Sequence, residues 1–105
     1  MPLTIESSQA GDRAVIRLAG TLDAASAESV REAVELALAA QPVWLELDVE
    51  RVDFMSSAGL RVVIFAKQKQ PNVKIAFRKP QAPILDTLKK TGFLDAVYVI
   101  GDDGG

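Results

Sequence analysis

The residues best able to do chemistry stand together in Met55-Ser56-Ser57-Ala58-Gly59-Leu60. Two hydroxyls and two very small side chains lie between Val43–Asp48, which reads as a strand, and Arg61–Lys69, whose apolar spacing is helical. A helix start exposes unpaired N–H groups and the positive end of the helix dipole. That environment suits a hydroxyl, a phosphate or a partner's acidic group. It equally suits a serine that does nothing except cap the helix.

The rest of the chain removes most catalytic options. There is no His and no Cys, so there is no thiol nucleophile, no disulfide, no Cys/His zinc site and no imidazole base. No Gly-rich phosphate loop, dinucleotide fingerprint or nucleophile elbow surrounds the serines. Pairing Ser57 with Lys67 or Lys69 would mean bridging roughly 15–18 Å along one helix. Asp23, Asp48 and Asp53 could in principle form a paired-carboxylate site, but their spacing does not bring them together. The chain therefore reads as a binding or switch module and not as an autonomous enzyme, and no cofactor or metal is expected. A phosphoryl group on Ser57 would add about −1.5 to −2 charge near neutral pH. At a helix N-terminus that charge is tolerated, so modification would leave the fold intact. It would act on a partner, through repulsion or a blocked contact beside Val62 and Phe65.

Several elements must position this stretch. Leu3–Ser8 and Arg13–Ala19 alternate and are separated by the turn signal Gln9-Ala10-Gly11-Asp12, which predicts an N-terminal hairpin. Gly20-Thr21-Leu22-Asp23 ends the second strand. Ala24–Ala40 carries Val30, Ala33, Val34, Ala37 and Leu38 on one helical stripe, with Asp23 or Ser26 as N-cap. Arg31 can reach Glu28 and Glu35 on the solvated side. Gln41-Pro42 breaks that helix. A third strand runs from Val43 to Val49, with Trp44 opposite Val43, Leu45 and Leu47 and packed under a helix or loop. Glu50–Ser56 is then the connection to the next helix.

The helix Ser57–Lys69 has two apolar patches. Leu60, Val63 and Ile64 are assigned to the core, which leaves Val62 and Phe65 at least partly exposed. Val73–Arg78 is a fourth strand. Pro83 and Gly92 bracket a third helix with Ile84, Leu85 and Leu88 inward, and Ala96–Ile100 is a short final strand or extended segment. Two strands followed by alternating helix and strand predict an α/β fold, with a mixed, mostly parallel sheet. One domain is expected over 1–100, with a disordered tail at 101–105.

The bulk numbers agree with a globular module. The chain has 105 residues, 49 % of them apolar and 25 % charged, with a net charge of −2. Its sequence pI of about 5.0 offers no basic footprint for nucleic acid. No basic n-region and no apolar run of roughly 20 residues is present, which predicts a cytoplasmic protein without a membrane segment.

Several stretches resemble the anti-sigma-factor antagonists, the stand-alone STAS domains of bacterial partner-switching systems. They are Gly20-Thr21-Leu22-Asp23, the strand Val43–Asp48, Val52-Asp53-Phe54-Met55-Ser56-Ser57-Ala58-Gly59-Leu60 and Thr91-Gly92-Phe93-Leu94. The family pattern at the phosphosite is commonly Asp-Ser-Ser/Thr-Gly-Leu. Ser56 stands at the Asp position, Ser57 at the acceptor and Ala58 at the following Ser/Thr. The resemblance implies a STAS-like fold and phosphorylation on Ser57, with Ser56 as second choice. It implies partner binding through Thr21, Asp23, Ser56, Ser57, Ala58, Gly59, Arg61, Val62 and Phe65. The implied partners are an anti-sigma factor that is also a serine kinase of the histidine-kinase-like ATPase fold, and a serine phosphatase, with no nucleic acid and no membrane. An alternative is a STAS module of a transport or lipid-trafficking assembly whose serine is purely structural.

Overall fold

The hairpin predicted from the first alternating segments forms as β1 (Thr4–Ala10) and β2 (Arg13–Leu22), paired antiparallel around Gly11-Asp12. The structure is a computed structural model and describes residues 3–101. Of the expected tail, 102–105 lie outside the described residues. After the hairpin come α1 (Ala24–Leu38), β3 (Trp44–Met55), α2 (Ser57–Lys69), β4 (Lys74–Arg78) and α3 (Ala82–Lys90). A 3-10 turn (Phe93–Ala96) and β5 (Tyr98–Ile100) complete the described chain. The strands form one sheet in the order β1-β2-β3-β4-β5, antiparallel at β1/β2 and parallel at every later pairing. The expected mixed, mostly parallel α/β sheet is what the chain builds.

Alternation decides which face each strand buries. Ala14, Ile16 and Leu18 of β2, Leu45, Leu47 and Val49 of β3, and Ile75 and Phe77 of β4 point to one side. There they form a single core with Val30, Val34 and Leu38 of α1, Leu60, Val62, Val63 and Ala66 of α2, and Ile84 and Leu88 of α3. Burial of this continuous apolar surface is the main favourable term. The opposite face carries Arg13, Trp44, Glu46, Lys74, Arg78 and Tyr98. Trp44 does not lie under a helix or loop, as its sequence position predicts. It packs edge-to-face on Tyr98 at 4.9 Å, with the Arg13 and Lys74 cations over its ring at 5.0 and 5.4 Å.

Four boundaries and faces differ from expectation. β3 continues to Met55, through the segment predicted as a connection, because its pairing with β2 continues to Leu22 opposite Met55. The register shifts between Arg17 and Ala19 and again between Gly20 and Thr21. Such irregularities break the two-residue alternation by which a strand is recognised. The buried residues Val49, Val52 and Met55 consequently recur every third position. In α3 only Ile84 and Leu88 are buried, while Leu85 is 37 % exposed. The C-terminal strand begins at Tyr98, since Phe93–Ala96 takes a 3-10 turn after Gly92, whose φ of 81° closes α3 in the left-handed region.

The fourth difference bears on the site. Val62, expected to be partly exposed, is 4 % exposed, and Ile64, assigned to the core, is 43 % exposed. α1 packs beside α2, so α2 buries an arc of about 160° that runs from Val62 and Ala66 through Gly59 and Val63 to Leu60. That arc is centred between the two apolar patches and not on one of them. Chemical denaturation separates the two residues. Val62→Ala should cost about 2 kcal/mol of stability, whereas Ile64→Ala should cost less than about 1 kcal/mol.

Candidate functional site

Parallel pairing brings the ends of β2 and β3 together, with Thr21 opposite Phe54 and Leu22 opposite Met55. A helix starts from each end. α1 is capped by Asp23, whose Oδ1 accepts from the Ala25 and Ser26 N–H groups at 3.1 and 3.2 Å. Ser26 Oγ accepts from the Asp23 N–H at 3.0 Å, which completes a capping box. The Ser26 hydroxyl donates to the Thr21 carbonyl at 2.9 Å, and the Thr21 hydroxyl donates to Asp53 Oδ1 at 3.1 Å. Asp23 and Asp53 are thus each committed to a local hydrogen bond. Asp48 pairs with Arg17 at 3.6 Å.

The two serines take different positions. Ser56 is half-buried and is the N-cap of α2. Its N–H donates to the Leu22 carbonyl at 2.9 Å and its Oγ accepts from the Ala58 N–H at 3.2 Å. Ser57 is the first residue of the helix and is exposed. Gly59 is buried where the helix meets the strand ends. A Cβ there would lie 2.6 Å from Met55 Cγ and 2.9 Å from Leu22 Cγ and Cδ2, closer than such contacts allow. The glycine is needed for close approach and not for an unusual backbone angle.

One turn on, Arg61 is exposed, and Phe65 is half-buried beneath the Arg31 guanidinium at 5.2 Å. A groove of about 260 Å3 separates α1 from α2, lined by Ala24, Ala27 and Arg31 on one side and Ala58, Arg61 and Val62 on the other. Its α1 wall is fixed by ion pairs from Arg31 to Glu28 and, at 3.5 Å, to Glu35. The hydrogen bond from Arg31, and then its charge, hold the exposed Glu28 carboxyl below the usual carboxylate range. The same pairing raises the Arg31 pKa.

The structure therefore brings together Thr21, Asp23, Ser56, Ser57, Ala58 and Gly59, with Arg61 and Phe65 further along α2. Val62 and Gly59 shape the site from below and present little surface. Two exposed apolar residues were not anticipated: Ile64, and Phe54, which is 52 % exposed opposite Thr21. No periodicity marks Phe54, since it sits in the irregular part of β3. Lys67 Nζ donates to the Pro71 and Val73 carbonyls at 3.1 and 2.8 Å, at the far end of α2 from Ser57. Among the described residues no cluster of three or more His, Cys, Asp and Glu could hold a metal ion. No described helix is long and apolar enough to cross a membrane.

Comparison with known proteins gives this geometry a context. A family model described as "Mlab, STAS domain" matches residues 5–100. No protein of curated function matches the sequence significantly. Among solved structures, an anti-sigma factor antagonist from Mycobacterium paratuberculosis superposes with a TM-score of 0.83 at 18 % identity, covering 93 % of this chain and 85 % of its own. The anti-sigma factor antagonist SpoIIAA in its unphosphorylated form gives 0.73 at 20 % identity, over 96 % and 91 % of the two chains. The phosphorylated form of the Bacillus cell fate determinant SpoIIAA gives 0.72 at 18 % identity, over 94 % and 91 %. At these identities the likeness is one of fold.

Gly59→Ala tests the packing of the junction. In an open helix the change would stabilise by about 1 kcal/mol. Here overpacking against Met55 and Leu22 costs about 1–3 kcal/mol, so the thermal midpoint should fall. Asp23→Ala should cost about 1 kcal/mol through loss of the cap alone, measured in the same way.

Proposed function

Since the chain belongs to the STAS domain family, we propose that it is a phosphorylation-controlled anti-sigma-factor antagonist with Ser57 as its acceptor. The observation that carries this reading is the division between the two serines. Ser56 is held by the Leu22 carbonyl and the Ala58 N–H, whereas Ser57 stands exposed at the first helical position. A kinase can reach Ser57 without breaking a cap. The dianion it leaves sits at the positive end of α2.

In this reading the unmodified protein binds an anti-sigma factor that is also a serine kinase of the histidine-kinase-like ATPase fold, and so releases the sigma factor or another regulated partner. Phosphorylation of Ser57 ends the complex, and a serine phosphatase restores it. The surface offered is Ser57, Arg61 and Ile64 on the exposed stripe of α2, with Thr21, Asp23 and Phe54 at the strand ends. Ala58 and Phe65 form the edge toward α1. The protein acts in the cytoplasm as substrate and binder, and the kinase and phosphatase supply the catalysis. Support comes from the family, the fold shared with anti-sigma factor antagonists and the exposure of Ser57.

The alternative is a STAS module of a transport or lipid-trafficking assembly with a purely structural serine. One observation favours it: the Ser56 hydroxyl serves as a cap. Incubation with the cognate kinase and ATP, followed by mass spectrometry, separates the readings. Phosphate on Ser57, lost in Ser57→Ala, is the expected result. An active cognate kinase that leaves Ser56 and Ser57 unmodified would favour the structural serine. Ser57→Asp should weaken kinase binding while the thermal midpoint stays within about 4 °C, because surface changes cost within about 0.5 kcal/mol.

A further inference from the structure

Ser57 and Arg61 are four residues apart on α2 and both are exposed. At that spacing two side chains sit one above the other on a helix, with Cβ atoms about 5–6 Å apart, and an acid preceding a base is the favourable order. Among the described residues Arg61 makes no ion pair. The other charged residues lining its groove are Glu28 and Arg31, and these are engaged with each other and, through Arg31, with Glu35. Arg61 thus holds an available guanidinium one turn from the hydroxyl that the proposed function modifies.

We propose that Arg61 is the built-in receptor of the Ser57 phosphate. Once Ser57 carries a phosphoryl group, the guanidinium reaches back along the helix and binds the dianion through charge-assisted, fork-like hydrogen bonds. Before modification, the α2 surface offers a free cation beside the exposed Ile64. Afterwards that cation is withdrawn into an ion pair within the chain, and the surface has gained net negative charge. The switch is a rearrangement of charge on one exposed helix face and needs no movement of the backbone. This inference rests on Ser57 being the acceptor.

The test installs phosphoserine at 57 during translation, so its outcome does not depend on whether any kinase acts on the protein. The second ionisation of the phosphate is followed by 31P NMR in the full chain and in Arg61→Gln, with circular dichroism confirming that both are folded. A nearby cation favours the dianion, so the phosphate should ionise about 0.2–0.4 pH unit lower in the chain that keeps Arg61. The helix N-terminus is present in both proteins and cancels. In the same pair, phosphorylation should raise the thermal midpoint more when Arg61 is present. Identical phosphate titrations in the two proteins would overturn the inference and leave Ser57 as acceptor untouched. Conversely, failure of Ser57 as a kinase substrate would not alter the titration.

Discussion

The pairing of β2 with β3 governs the serine junction. Because the two strands run parallel and stay paired as far as Leu22 and Met55, both end at the same edge of the sheet. Two helices then begin side by side there, capped by Asp23 and Ser56. The strand ends also form the floor beneath α2. The Ser56 N–H is anchored on Leu22, and Gly59 lies against Leu22 and Met55 where a larger residue would collide. A shift in this pairing would move the cap, the floor and the exposed serine together. Short-range features such as the Asp23 capping box refine a position already set by long-range pairing.

The sheet face without helices has its own organising contact. Glu46 is 6 % exposed on β3 and accepts from Arg13 at 2.8 Å, with Arg78 at 3.8 Å on its other side. Taking a carboxylate out of water is costly unless it is paired and hydrogen-bonded. The two arginines come from β2 and β4, so the group ties together the three central strands at the register seen. Trp44, one residue pair away, is clasped by Arg13, Lys74 and Tyr98. This array lies toward the start of β3 and the serines follow its end, so the strand carries its charge-paired anchor and its candidate site at different ends.

Legibility in the sequence followed local rules. The bounds of α2 at Ser57 and Lys69 were readable because a small polar cap precedes a long apolar-periodic run. Pro83 and Gly92 marked α3 because each acts through its own backbone. The hairpin was readable from alternation on both sides of Gly11. What could not be read depended on neighbours distant in sequence. The second half of β3 hid its strand character because the register shifts opposite β2 place its buried residues three apart. A single-helix projection misplaces the buried face of α2 by some tens of degrees, because two apolar patches leave the choice to α1 and helix-to-helix contact is invisible to it. Val62 and Ile64 exchanged roles for that reason alone. The place of Ser57 at the start of α2 was legible from the pattern, and the exposure of Phe54 was not, since an aromatic beside buried positions looks like core until the pairing is known.

The separation of the two serines also accounts for the departure from the common family pattern. Ser56 occupies the place where the resemblance expects Asp, and that place is the N-cap of α2. Ser and Asp are both among the preferred N-caps, because each offers an oxygen to the amides of the first turn. Exchanging one for the other keeps the hydrogen bond to Ala58 and removes one negative charge beside Ser57. Under the proposed function, an aspartate at position 56 would repel a phosphate dianion on Ser57, whereas a neutral serine does not. Serine at 56 therefore preserves the structural task of the position, and on the proposed function it lowers the electrostatic cost of charging its neighbour. The fold needs an oxygen at residue 56 and close packing at Gly59, but it places no demand on the exposed hydroxyl of Ser57, and that freedom leaves the side chain available to act as a switch.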